Sequence, residues 1–206
     1  MHPNPAFRNT PDARTLAFAR DRAFGTLAVN AERGPLLAHV PFLLSPDADR
    51  ADIHLVRSNP IVRLLDRDAV IAVTGPDGYV SPDWYEVSDQ VPTWNYVSVH
   101  IRGRLSRLPD EAMRDMLDRQ SAAYEARLAP KAPWTAAKMT PEVLERMMRA
   151  IVPCRLDVMG IDATWKLSQN KPDAVRLRAA EKMETGLGTE LGFLAELMRD
   201  PDLTKL

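Results

Sequence analysis

Residues 94–105 alternate in character along their length, and this constrains the fold more than any other stretch. Val97, Val99, Ile101 and Leu105 fall on one face. Trp94, Tyr96, Ser98, His100, Arg102 and Arg104 fall on the other. Successive strand side chains point to opposite sides, so this is a strand with one buried face. A strand this long suits a curved barrel that uses both of its halves.

Shorter strand-like runs surround it. Phe24 to Val29, Leu36 to Leu44, Ile53 to Val56, Ala69 to Val73 and Arg155 to Ile161 have strand character, with turn signals between several of them. Thr74-Gly75-Pro76-Asp77-Gly78 reads as a turn, with Tyr79 and Val80 resuming a strand and 81–92 forming a loop. Helices are expected over 10–20, from Pro60 to about Leu65, over 109–128, and from Thr140 to Ile151. In the last of these Val143, Leu144, Met147, Met148 and Ile151 would form the buried side. Two short helices split at Gly186-Leu187-Gly188 make a tail. Strands without long intervening helices argue against a doubly wound sheet. The expected class is mainly β with α (α+β), a small antiparallel barrel with helices packed outside. A domain over 1–170, with a helical insertion near 109–150, precedes the tail at 171–206.

The chain has 206 residues, 45% of them hydrophobic, enough for a real core. Its net charge of -1 disfavours attachment to DNA by overall positive charge. Cys154 is the only cysteine, so no intrachain disulfide can form. No window approaches the roughly 20 apolar residues of a membrane span. The start, from Met1 to Pro5, lacks a signal-peptide pattern, and a cytoplasmic protein is expected.

Three constellations carry possible chemistry. Arg57-Ser58-Asn59-Pro60 sits where a strand turns into a helix, with Arg63 one turn on. Free N–H groups at a helix start, a hydroxyl and a cation suit a phosphate, but simple capping already explains Asn59 and Pro60 completely. Trp94, Asn95 and Tyr96 offer a stacking and hydrogen-bonding platform, or an aromatic pair closing a barrel end. Lys166, Ser168 and Gln169, beside Trp165, are donors suited to a phosphate or a ring carbonyl. His39 could face a ligand or a partner subunit, although a structural role explains it as well. The scattered histidines and single cysteine give no metal or haem spacing. No hydrolase elbow, Walker loop or recognition helix is present.

The chain resembles the FMN-binding negative transcriptional regulators of the PaiB type. The residues that carry the resemblance are His2 to Phe7, Phe24-Gly25-Thr26-Leu27, Leu37 to Phe42, Ser58-Asn59-Pro60 and Gly75-Pro76. Tyr79 to Pro82, Trp84-Tyr85, Val91 to Tyr96 and Lys166 to Asn170 continue it in order. The resemblance implies a split β-barrel that binds FMN, usually as a homodimer. Carried over by position, it puts Arg57, Ser58 and Asn59 at the phosphate, with Trp94, Asn95 and Tyr96 near the isoalloxazine or the dimer seam. Lys166, Ser168 and Gln169 would complete the pocket. It also implies repression of transcription, direct or indirect, although neither charge nor a reading helix supports DNA contact. The alternative is a flavin-dependent oxidoreductase of the pyridoxamine-phosphate-oxidase or flavin-reductase kind.

Overall fold

The computed structural model describes residues 2–202; Met1 and positions 203–206 of the expected tail lie outside the described residues. Helix α1 (Asp12–Arg22) precedes β1 (Phe24–Val29), β2 (Leu36–Pro41), β3 (Leu43–Leu44) and β4 (Arg50–Val56). A short 3-10 helix, Pro60–Leu64, leads into β5 (Arg67–Val80), and another, Pro82–Tyr85, precedes β6 (Thr93–Arg107). Helices α2 (Ala112–Glu125) and α3 (Pro141–Met148) separate β6 from β7 (Ile151–Lys166). Then follow α4 (Asp173–Met183), β8 (Gly188–Thr189) and α5 (Leu191–Arg199). The strands are hydrogen-bonded in the order β2-β1-β5-β6-β7-β4-β3, with β8 on β5. The fold is the expected α+β split barrel with peripheral helices.

The long strands β5, β6 and β7 each contribute to two compact units. The first unit holds the residues up to Arg22, Ala72–His100 and the residues from Ile161 on. Its interior includes Phe18, Val73, Val97, Val99, Trp165, Leu194 and Leu197, all buried. Phe18 meets Trp165 edge to face at 5.3 Å, a geometry that aromatic quadrupoles favour. The Arg14 guanidinium lies 4.3 Å from the Trp165 ring centroid.

The expected turn at 74–78 is instead continuous strand within β5. Close packing explains the two glycines there. A Cβ on Gly75 would sit 2.6 Å from the Phe18 ring, and one on Gly78 would sit 2.5 Å from the Met183 sulfur. Here glycine permits contact rather than chain reversal.

The second unit holds Ala23–Ile71 and Ile101–Gly160. Leu27, Val40, Phe42, Ile53, Leu55, Ile101, Leu105, Met116 and Leu156 are buried in it. Asp52 is buried and accepts from Arg119 Nη2 and Arg155 Nε, each at 2.9 Å. Gln120 Nε2 donates to the Asp52 carbonyl at 2.9 Å, and Gln120 Oε1 lies 3.2 Å from His54 Nδ1. The Tyr124 hydroxyl donates to the Phe42 carbonyl at 2.9 Å. These bonds tie α2 to the strand region of this unit.

Other boundaries moved. The run 36–44 breaks at Phe42, whose N–H donates to the Ala23 carbonyl at 2.9 Å. The late strand is longer at both ends than 155–161. Helix α3 forms, but none of its residues is buried, and Met147 is 57% exposed. Val143, Leu144 and Met148 are half-buried, so its apolar stripe is only partly covered; periodicity shows a face without showing how far it is covered.

Candidate functional site

In the first unit, the end of β7 and the loop after it converge on the start of β6. Asn95 falls on the buried face of β6, in phase with Val97 and Val99. Its Nδ2 donates to Ser168 Oγ at 2.9 Å, and the Tyr85 hydroxyl lies 3.1 Å from the same oxygen. Tyr85, Asn95 and Ser168 are all buried. Burial raises the Tyr85 pKa, with the Ser168 contact opposing, so the phenol stays neutral. Ser168 has φ of +61°, in the left-handed region that marks a constrained turn.

A cavity of about 250 Å³ opens beside this cluster, lined among others by His2, Phe7, Tyr85, Thr93, Lys166 and Lys171. Lys166 Nζ donates to Thr93 Oγ1 and Lys171 Nζ donates to Gln90 Oε1. The Lys171 ammonium lies 4.4 Å from the Tyr85 ring centroid and that of Lys166 lies 5.8 Å from Phe7. Burial lowers the Lys166 pKa. Burial and then the Lys166 charge lower that of His2. His2 Nδ1 accepts from the Asn4 N–H at 3.1 Å, which leaves the ring proton on Nε2.

Gln169 serves the turn itself. Its Oε1 accepts from the Leu167 N–H at 2.8 Å and its Nε2 donates to the Trp165 carbonyl. Trp94 is 44% exposed and meets Tyr79 edge to face at 6.2 Å. Tyr96 is half-buried on the same face of β6 as Trp94.

Arg57, Ser58, Asn59 and Arg63 belong to the second unit. Arg57 Nε donates to the Arg149 carbonyl at 2.8 Å and Nη2 to the Ile151 carbonyl at 3.1 Å. Asn59 Oδ1 accepts from the Ile61 N–H at 2.9 Å and caps the short helix. Ser58 and Arg63 are exposed. His39 is exposed too, stacked on Phe24 at 6.5 Å and 3.1 Å from Thr26 Oγ1.

The cavity's donor set fits an anion attached to a ring: two ammonium groups, a hydroxyl and an imidazole beside two aromatic side chains. At about 250 Å³ it is smaller than the roughly 300–1,000 Å³ of pockets that enclose a whole ligand. It suits the tail of a cofactor such as FMN rather than all of it. Sequence reasoning stopped at Asn170 and missed Lys171, one position further on. It also missed His2, Thr93 and the bond from Tyr85 to Ser168, which only the tertiary fold creates.

Fold and pocket together define an α+β split-barrel protein with a cation-lined cavity. The chain belongs to the family described as "Putative FMN-binding domain", whose model matches residues 1–159. FMN, implied by the resemblance, is the cofactor by which that family is described. A curated relative, "Protease synthase and sporulation protein PAI 2" of Bacillus subtilis (strain 168), is 29% identical over 198 residues, covering 94% of each chain. A solved structure of the FAD and heme binding protein from Mycobacterium smegmatis has a TM-score of 0.55 at 19% identity, covering 77% of this chain and 73% of that one. A flavocytochrome from Azotobacter vinelandii has a TM-score of 0.57 at 15% identity, covering 81% of this chain and 72% of that one. Among the described residues, no cluster of three or more His, Cys, Asp or Glu could hold a metal, and no helix is long and apolar enough to cross a membrane.

Proposed function

We propose that this chain is a cytoplasmic, homodimeric flavoprotein that holds FMN in a single split-barrel domain, about 1–170, and acts in the control of transcription. The observation that carries the proposal is the lysine-lined cavity on the 165–171 segment of a chain belonging to an FMN-binding family. Lys166 supplies a cation, while Asn95, Ser168 and Gln169 hold the loop that presents it. Trp94 and Tyr96 supply exposed and half-exposed aromatic faces. The Arg57 corner is the weaker candidate for the phosphate, because Arg57 and Asn59 already spend their polar atoms within the fold. Bound FMN supplies the redox chemistry; the protein binds and orients it.

Exposed apolar side chains of the second unit are available to a dimer seam. Phe24 is 55% exposed, Leu37 61% and Met159 77%. Control of transcription would be indirect, through a flavin-linked signal or another protein, since a net charge of -1 supplies no general attraction to DNA. Specific retention of a promoter fragment by the dimer at physiological salt would overturn the indirect route. A second reading, a flavin-dependent oxidoreductase, requires no DNA contact; steady NAD(P)H consumption by the flavin-loaded protein would support it.

The test is the visible absorption spectrum of the purified protein before and after adding FMN and desalting, followed by size-exclusion chromatography. Flavin retained in a dimer peak is expected. A colourless protein that cannot hold FMN would count against the proposal.

A further inference from the structure

We infer that the cavity between Lys166 and Lys171 is a phosphate-monoester site and that, on the flavin proposal above, it takes the terminal phosphate of FMN. The identity of the carrier rests on that proposal; the anion chemistry does not. Both ammonium groups reach neutral oxygens, Thr93 Oγ1 and Gln90 Oε1. Among the described residues neither lysine is in an ion pair with a carboxylate. Asp89, exposed at the rim, also lines the cavity without pairing with either. Two ammonium groups that are in no ion pair among the described residues, partly withdrawn from water, outweigh the single exposed carboxylate at Asp89 and attract a dianion.

The lysines are also held in place. The Phe7 and Tyr85 rings lie beneath the two ammonium groups, and Tyr85 is fixed through Ser168. A volume of about 250 Å³ admits a phosphate and a short stem. Phosphate oxygens would replace neutral acceptors with charged ones, and charge-assisted bonds are roughly twice as strong as neutral ones.

The experiment uses the full-length protein and flavin fluorescence quenching. FMN and riboflavin, which differ only in the phosphate, are titrated against wild type, Lys166→Met, Lys171→Met and the double variant. Methionine keeps the stem volume and removes the charge. Lys171→Met, at the edge of the cavity, serves if Lys166→Met disturbs folding, and thermal melting monitors all variants.

Wild type should prefer FMN by about tenfold or more. The double variant should lose most of that preference, the ratio of the FMN and riboflavin affinities falling towards one. Equal affinity for the two flavins in wild type, or a preference that survives the double substitution, would overturn the inference. If no flavin binds but inorganic phosphate raises the melting temperature in a lysine-dependent way, the anion site stands and the flavin proposal falls. No response to either flavin or to phosphate would overturn both.

Discussion

Replacing Ser168 with alanine should destabilise the protein more than a surface serine change would. Ser168 Oγ is the shared partner of Asn95 Nδ2, at 2.9 Å, and of the Tyr85 hydroxyl, at 3.1 Å. Asn95 and Tyr85 are both 0% exposed, so water cannot replace the lost hydroxyl without repacking. Each buried polar group left unpaired costs about 1–3 kcal/mol, which gives roughly 2–6 kcal/mol for two. Losses above about 4 kcal/mol are exceptional for single substitutions, so the lower half of that range is expected. Ser168→Gly loses the same hydroxyl but relieves the left-handed backbone at φ +61°, and should recover about 1 kcal/mol. Tyr85→Phe leaves Ser168 bonded to Asn95 and should cost only about 0.5–1.5 kcal/mol. In the Tyr85→Phe, Ser168→Ala double variant the losses should be less than additive, because no tyrosine hydroxyl is left stranded. Urea unfolding followed by tryptophan fluorescence measures all four variants. A Ser168→Ala variant within about 0.5 kcal/mol of wild type would refute the reasoning; so would a strictly additive cycle.

Asp52→Ala strands Arg119 and Arg155, but their side chains are 44% and 31% exposed and can turn to water. The expected cost is therefore about 1–3 kcal/mol, below that of breaking a fully buried pair, and urea unfolding measures it. Burial lowers the His54 pKa below 6.5, with the Gln120 contact opposing. The unfolded chain then binds the proton more readily, so this group's contribution to stability falls as pH drops from about 6.5 through the lowered folded value. Melting curves across that window should show a smaller pH dependence in His54→Gln; an unchanged profile would exclude the effect. Burial pushes the Cys154 thiol up to about 12, so a thiol reagent should react with the native protein only slowly and rapidly after denaturation.

The sequence made the strands most legible where one face is buried. The long alternation at 94–105 and the run 24–29 reappear with little change, because a period of two leaves only one register that buries Val97, Val99 and Ile101. It misled at 74–78. The same Gly and Pro residues that signal a turn also serve a strand under which Phe18 packs, and only the tertiary neighbour distinguishes the two. The apolar stripe of α3 was legible but its burial was not, since amphipathicity does not name the covering surface. Around the candidate site, the local run 165–170 stood out because Trp, Lys, Ser and Gln rarely gather without purpose. Lys171 lies one position past that run, while Tyr85 joins it across 83 positions and His2 across more than 160, beyond any local pattern.

The most direct test of the flavin account is quenching of FMN fluorescence by the wild-type protein at neutral pH and physiological salt. Saturable, stoichiometric quenching that riboflavin competes for only weakly is the predicted result. Quenching that never saturates, or that is absent at protein concentrations well above those of the flavin, would contradict it.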